Sequence, residues 1–390
     1  MDPTVHKQRV ILGLSGGVDS AVAALRLLEA GAEVEALHMT NWEDDDGYCK
    51  AAEDLQDARR VADRLGIVLH HVNFAREYRE RVFRYFLAEY EHGRTPNPDV
   101  LCNREIKFGV FLEHARRLGA DLIATGHYAR RETVAGRPAL FRGRDRNKDQ
   151  SYFLHAVTTA ALGATVFPLG DLTKDEVRRI ARRSGLPVFA KKDSTGICFI
   201  GERPFREFLA RYLPAQPGPI LRPDGAELGR HHGLMYYTLG QRQGLRIGGR
   251  QDAGDAPWYV VDKRVADNAL IVDQGDSPLL LSAALVATEP TWIGDPPEGL
   301  AAGTRLTAQV RYRQPGQACR VRAAGDGSLL VEFAEPQRAV APGQYVVFYA
   351  GDRCLGGARI ESTRRAATEA SPAHSAAMPA AFRPVPLRSP

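Results

Sequence analysis

Polar and apolar positions alternate along the first part of the chain in a strand-and-helix rhythm. Residues 9–12 form a short apolar run with two β-branched positions and predict a buried strand. Residues 21–28 are rich in good helix formers, and Gly31 suits a helix stop. Residues 33–39 alternate and predict a second strand. Over 51–65, Leu55, Ala58, Val61, Ala62 and Leu65 recur on one helical face, and 67–72 predict a third strand. An aromatic amphipathic helix over 78–90 and a second helix over 104–118 precede a fourth strand at 121–125. This alternation predicts an α/β fold: a doubly wound, mostly parallel sheet with right-handed crossovers. Ligands of such sheets bind beyond the carboxyl ends of the strands. Residues 15–20, 39–42 and 126–127 all fall at such ends.

Further along, 130–142 read as a β-hairpin around Ala135-Gly136, and 174–184 as a helix stopped by Gly185 and Pro187. From Pro214 onward Pro217, Gly218, Pro219 and Pro223 mark a change of domain. Residues 280–362 carry short alternating strands, at 305–312, 318–323, 328–333 and 344–349, and predict a small antiparallel barrel or sandwich, the barrel being the expected division's choice. Residues 363–390 are rich in alanine and proline and read as a disordered tail. The expected division is 1–213, a catalytic domain; 214–277, a small central domain; 278–362, the barrel; and 363–390, the tail.

Composition narrows the class only mildly. At 390 residues two or three domains are the prior, and 44% apolar with 25% charged residues is ordinary for a globular protein. The net charge of +5 is compatible with a nucleic-acid partner without requiring one. No apolar run reaches the length of a membrane span, and residues 1–7 lack the apolar core of a secretory signal. A cytoplasmic protein with no membrane partner is expected. Cys49, Cys102, Cys198, Cys319 and Cys354 are widely spaced with no CxxC pair, which fits neither a disulfide framework nor a common zinc site.

The chemistry begins at Gly13-Leu14-Ser15-Gly16-Gly17-Val18-Asp19-Ser20, between the first strand and the first helix. A strand, a Gly-Gly turn and a helix start aim unsatisfied N–H groups and the positive end of a helix dipole at one spot, which suits phosphate. The Ser15 and Ser20 hydroxyls add donors. The lysine of a Walker A loop is missing, and the glycine spacing is not that of a dinucleotide fold. SGGVDS resembles the signature of the PP-loop ATP pyrophosphatases, which cleave ATP between the α and β phosphates and adenylate a substrate oxygen.

Two cysteines read as loop residues. Cys102 lies between Pro96-Asn97-Pro98-Asp99 and Asn103-Arg104; a helix starting near Asn103 would favour its thiolate. Cys198 lies in Thr195-Gly196-Ile197-Cys198-Phe199. Cys49, Cys319 and Cys354 read as small buried hydrophobes.

The longer motifs resemble the tRNA-specific 2-thiouridylases. They are GLSGGVDS (13–20), MTNW (39–42), RTPNPDVLCNREIKF (94–108), ATGHYAR (124–130) and NKDQSYFL (147–154). DSTGICFIGER (193–203), GLMYYTLGQRQGL (233–245), RYRQPG (311–316) and APGQYVVFY (341–349) continue the match to about residue 362. The resemblance implies ATP-dependent 2-thiolation of the wobble uridine in the tRNA anticodon arm, with AMP and diphosphate released. It implies a persulfide on Cys198 and a catalytic thiol at Cys102. ATP falls to Gly13, Leu14, Ser15, Gly16, Gly17, Val18, Asp19 and Ser20, with Met39 and Gly126 on the adenine side. Asn97, Pro98 and Asp99 approach the target base, and His127, Lys148, Asp149, Gln150, Arg311, Tyr312 and Gln344 contact tRNA.

Adenylation makes the uracil C2 oxygen a good leaving group, and a persulfide sulfur is a strong nucleophile near neutral pH. Asp99 is the candidate general acid or base, and Mg²⁺ would bridge the triphosphate with Asp19 as a water-mediated partner. A sulfur donor such as a cysteine desulfurase or a sulfur-carrier protein is implied, as is a redox-sensitive Cys102–Cys198 disulfide. An iron–sulfur cluster on Asp99, Cys102 and Cys198 stays open. A lysidine synthetase would need no cysteine pair, a GMP synthetase would carry an amidotransferase domain, and a thiol–disulfide oxidoreductase would want CxxC.

Overall fold

A computed structural model of the chain describes residues 5–43, 50–193, 205–247 and 254–365. Strands β1 (Arg9–Gly13), β2 (Glu33–Thr40), β3 (Leu69–Asn73) and β4 (Leu122–Ala124) come first. A hairpin of β5 (Ala129–Val134) and β6 (Arg137–Arg142) follows, then β7 (Thr165–Val166). One parallel sheet has the order β3-β2-β1-β4-β7. The order reverses around β1, so the loop after β1 opens into the crevice between chain segments that run in opposite directions.

Alternation along β1 serves two cores. Val10 and Leu12 belong to the cluster beneath helix α1 (Val18–Glu29), while Ile11 belongs to the aromatic cluster on the other face. Ala21, Val22, Ala24 and Leu27 of α1 are fully buried, as are Ala58 and Val61 of α2 (Lys50–Leu65). Burying each leucine or valine contributes about 1.5–3 kcal/mol, enough to hold these amphipathic helices on the sheet.

The helix expected over 104–118 starts earlier. Pro98–Leu101, Cys102–Val110 and Phe111–Arg117 run on without a break, with Pro98 in the first helical turn. Proline has its φ preset for that position and lacks only an N–H that would have no intrahelical partner there. The stretch Cys102–Val110 is π-helical, as is Arg79–Phe83 within the aromatic rod that runs from Ala75 to Glu91.

The central unit is a four-stranded sheet, with β8 (Gly218–Leu221), β9 (Glu227–His231), β10 (Trp258–Arg264) and β11 (Ala269–Gln274) in the order β10-β11-β8-β9. Beyond it lie β12 (Leu281–Trp292), β13 (Thr304–Gln309), β14 (Gln317–Ala323), β15 (Leu329–Arg338), β16 (Tyr345–Ala350) and β17 (Arg353–Arg365). These pair antiparallel in the order β12-β15-β14-β13-β16-β17, and β17 returns to β12, closing a six-stranded barrel. Closure removes the exposed edges.

One expectation about boundaries is corrected, and one element bridges two units: the β5–β6 hairpin of the expected catalytic domain extends the barrel sheet through Arg353↔Phe141 and Cys354↔Leu140. The tail does not begin at 363: Thr363, Arg364 and Arg365 pair with Leu285, Ala284 and Ser282 as the end of β17. Alternation in Ile360-Glu361-Ser362-Thr363 is short, and only the partner strand shows where it stops. Residues 366–390 lie outside the described residues. Among the described residues, no helix is long and apolar enough to cross a membrane.

Candidate active site

The β1–α1 loop is shaped by hydrogen bonds within itself. The Ser15 N–H donates to Ser20 Oγ at 3.2 Å, and Ser20 Oγ donates to the Gly17 carbonyl at 3.1 Å. Gly16 has φ of 78°, and a Cβ there would collide with the Asp54 carbonyl, so only glycine fits. No side chain caps the start of α1 at Gly17. The first-turn N–H groups and the dipole therefore face the crevice, which is the donor set a phosphate needs.

Neighbouring strands flank the loop. His38 is buried and its ring is held neutral by that burial; its Nδ1–H donates to the Leu14 carbonyl at 2.9 Å. Met39 approaches from β2, where a Cβ on Gly13 would lie 3.6 Å from its terminal methyl. Gly126 follows β4, and a Cβ there would stand 2.9 Å from the Ser20 nitrogen. Met39 and Gly126 thus sit on either side of the loop.

Cations surround it. Lys174 Nζ lies 2.7 Å from Asp19, whose Oδ1 also accepts from the Tyr128 hydroxyl at 2.8 Å. Lys191 Nζ bonds Asp54, Asp57 and the Gly16 carbonyl at 2.6, 2.5 and 3.2 Å. Lys148, Lys174 and Arg178 all meet Asp193, at 2.7, 2.7 and 2.8 Å. Motif reading gave no site role to Lys174, Lys191, Tyr128 or Asp193. Tyr128 and Asp193 lie inside quoted motifs and Lys191 just before one, but no local spacing singles out Lys174. With N–H donors, two hydroxyls and converging ammonium groups, the residues present fit the triphosphate of ATP.

The thiol side differs from expectation. Cys102 does not sit in a loop: it lies in the second turn of the rod that Pro98 begins, packed in the aromatic cluster and 2% exposed. The helix dipole acts within the first turn, so the proposed aid to its thiolate is weakened. Asp99, three residues earlier, is placed on the same helical face. Burial pushes the Asp99 carboxyl up, with Lys107 partly opposing, which favours a protonated acid. Cys319 and Cys354 are buried, and burial pushes both thiols up to about 12. Cys49 and Cys198 lie outside the described residues. Among the described residues, no three His, Cys, Asp or Glu side chains are grouped to hold a metal.

The remaining candidates divide between framework and surface. Asp149 uses both oxygens internally, accepting from the Gly143 and Ser151 N–H groups, the Ser151 hydroxyl and Arg142. Gln150 accepts from the Tyr128 N–H at 2.9 Å. His127 is buried between Phe108 and Phe167, bonded to Thr125, and held neutral by burial. Tyr312 packs on Phe153 with ring centroids 4.5 Å apart, and Arg311 donates to the Ala339 carbonyl at 3.1 Å. Gln344, from the barrel, donates to the Thr95 carbonyl at 2.7 Å and accepts from Asn97 at 3.4 Å. The loop 94–97 is thereby fastened to the barrel.

Comparison with known proteins decides the family. A protein of Pseudomonas fluorescens (strain SBW25) named tRNA-specific 2-thiouridylase MnmA is 60% identical over 359 residues, covering 91% of this chain and 95% of its own. A protein of the same name from Stutzerimonas stutzeri is 61% identical with the same coverage. The chain belongs to the tRNA-specific 2-thiouridylase family. Family models described as the tRNA methyl transferase HUP domain, the tRNA methyl transferase PRC-barrel domain and the aminomethyltransferase β-barrel domain match residues 8–202, 206–274 and 282–360. Two of those descriptions speak of methyl transfer; the full-length match to the 2-thiouridylases is the stronger guide. A solved 4-thiouridine synthetase–RNA complex with bound ATP aligns at 18% identity and TM-score 0.32, over 53% of this chain and 50% of that one. That likeness is too weak to carry an argument. In this chain the described residues include the whole β1–α1 loop, the Cys102 helix and the barrel residues that fasten the loop ending at Asn97.

Proposed function

We propose that this chain uses ATP to place sulfur on C2 of a tRNA wobble uridine. The observation that carries the reading is a phosphate loop with an uncapped helix start in a chain about 60% identical, nearly end to end, to 2-thiouridylases. The uracil C2 oxygen attacks the α-phosphate and diphosphate departs toward the Lys174 side of the loop. The terminal sulfur of a Cys198 persulfide then attacks C2, and AMP leaves with its oxygen. Cys102 then attacks Cys198 Sγ and breaks its bond to the sulfur now carried on C2, so that 2-thiouridine departs as the leaving group while a Cys102–Cys198 disulfide forms, and a thiol reductant resets it.

Asp99, whose burial raises its carboxyl pKa, would be the group that donates a proton to a leaving or carbonyl oxygen. Asn97, Pro98 and Asp99 present the flipped base, while His127, Lys148, Asp149, Gln150, Arg311, Tyr312 and Gln344 shape the tRNA contact. If Mg²⁺ takes part, Asp19 would hold it through water, and it would supply positive charge to offset that of the triphosphate. The sulfur comes from a desulfurase or a carrier protein, and the setting is the cytoplasm. Nucleoside analysis of tRNA from cells lacking the protein tests the reading: 2-thiouridine should disappear, and its persistence at the normal level would overturn it.

A further inference from the structure

One carboxylate at the phosphate loop faces three cations. Asp193 Oδ1 takes Lys174 and Arg178 at 2.7 and 2.8 Å, and Oδ2 takes Lys148 at 2.7 Å. Burial works against its charge, but the bonds from Lys148 and Lys174 outweigh it and hold the carboxyl down at about 2. Lys174 and Arg178 are one turn apart on the helix Lys174–Arg183, and Lys174 also reaches Asp19 in the phosphate loop. A singly charged carboxylate does not neutralise three cations, even with Asp19 sharing one of them.

The cluster is open to exchange. The Asp193, Lys148 and Arg178 side chains are 27%, 30% and 37% exposed, and Lys174, which also reaches Asp19, is 10% exposed. The framework pair Arg142–Asp149, by contrast, is 13% and 7% exposed and is sealed by further bonds from Gly143 and Ser151. Lys148, Lys174 and Arg178 come from two segments far apart in the chain, yet converge beside the uncapped start of α1. Their spacing on two carboxylate oxygens suits the oxygens of a more highly charged phosphate anion equally well.

We propose that Lys148, Lys174 and Arg178 form a diphosphate subsite and that Asp193 is its internal, exchangeable counter-ion, displaced when the β- and γ-phosphates or the diphosphate product bind. This rests on the nucleotide reading of residues 13–20. With the subsite empty, Asp193 prevents uncompensated repulsion among the three cations. Its return as diphosphate leaves makes product release faster than three unopposed cations would allow. No bond is made or broken in the exchange.

The test is equilibrium binding of inorganic diphosphate, and of ATP in parallel, to the full chain and three variants, each checked by thermal melting. Asp193→Asn removes the competitor and is expected to bind diphosphate about tenfold tighter, a gain of about 1.4 kcal/mol. Arg178→Gln and Lys174→Met are expected to bind it at least tenfold more weakly. Unchanged or weaker binding by Asp193→Asn overturns the proposal. If that variant does not fold, Asp193→Ser takes its place under the same criterion, and undiminished diphosphate binding by Arg178→Gln overturns the proposal by itself. ATP that fails to bind the wild-type chain sinks the nucleotide reading. ATP that binds it while Asp193→Asn gains nothing sinks only the counter-ion.

Discussion

Gln344 of the barrel donates its side-chain amide to the Thr95 carbonyl of the α/β unit at 2.7 Å, and the Thr95 N–H returns a bond to Pro342 at 2.9 Å. Between them Gly343 has φ of 90°, and a Cβ there would stand 2.9 Å from the Thr95 nitrogen. Arg94 adds ion pairs to Glu89 and to Glu361 of the barrel. A residue 249 positions along the chain thus holds the loop that leads into the Pro98 helix.

Gln344→Ala should loosen that loop. Loss of the Thr95 bond costs about 1 kcal/mol, so the tRNA KM should rise several-fold while the ATP KM stays the same. Steady-state kinetics with each substrate varied checks this; equal changes in both constants would count against a positioning role.

In the phosphate loop, Asp19→Ala and Ser15→Ala should abolish AMP release and thiolation while leaving tRNA binding nearly intact. AMP is measured by chromatography and tRNA by filter binding. Near wild-type AMP release from either variant would refute the loop's role.

Asp149→Ala leaves Arg142 buried with its guanidinium over the Tyr349 ring and without its carboxylate. Stability should fall by about 3–5 kcal/mol, seen as a lower melting temperature and denaturant midpoint. A variant that melts normally but binds tRNA poorly would show Asp149 to be a contact residue and not part of the framework.

Two truncations separate strand from tail. A chain ending at Arg365 should melt like the full chain. One ending at Ser362 loses the pairs to Leu285, Ala284 and Ser282 and the Arg365–Asp262 ion pair, and should melt several degrees lower. Calorimetry on the two chains decides it, and equal melting temperatures would contradict the strand boundary.

Acid should destabilise the fold through buried neutral histidines. Burial lowers His155 to about 4 and His127 well below 6.5, so the unfolded chain binds more protons as pH falls. Their contribution is fully present above about 6.5 and is lost toward pH 4, at up to about 1.4 kcal/mol per pH unit for each. Melting temperatures from pH 8 to 5 should decline, and His155→Asn should decline less steeply. Parallel curves would remove His155 from the account.

Much of this protein is decided by local order in the chain. Apolar runs at 9–12 and 121–125, helix formers after Ser20 and the alternation in 305–349 are short-range patterns, and the parallel sheet, α1 and the barrel strands follow from them. The phosphate loop is equally local, because a strand end, two glycines and a helix start are consecutive residues whose backbone donors need no distant partner. What needed the tertiary structure was every feature made by residues far apart. Lys174 and Asp193 gain meaning only when their segments fold back beside Asp19. The β5–β6 hairpin finds its neighbour in β17, more than two hundred residues on, since a strand's free edge pairs with whichever edge packing brings near. Cys102 is buried because Pro98 starts a helix early and the aromatic rod from Ala75 to Glu91 covers it. Periodicity tells which face of a segment is apolar; only closure of the core decides what lies against that face.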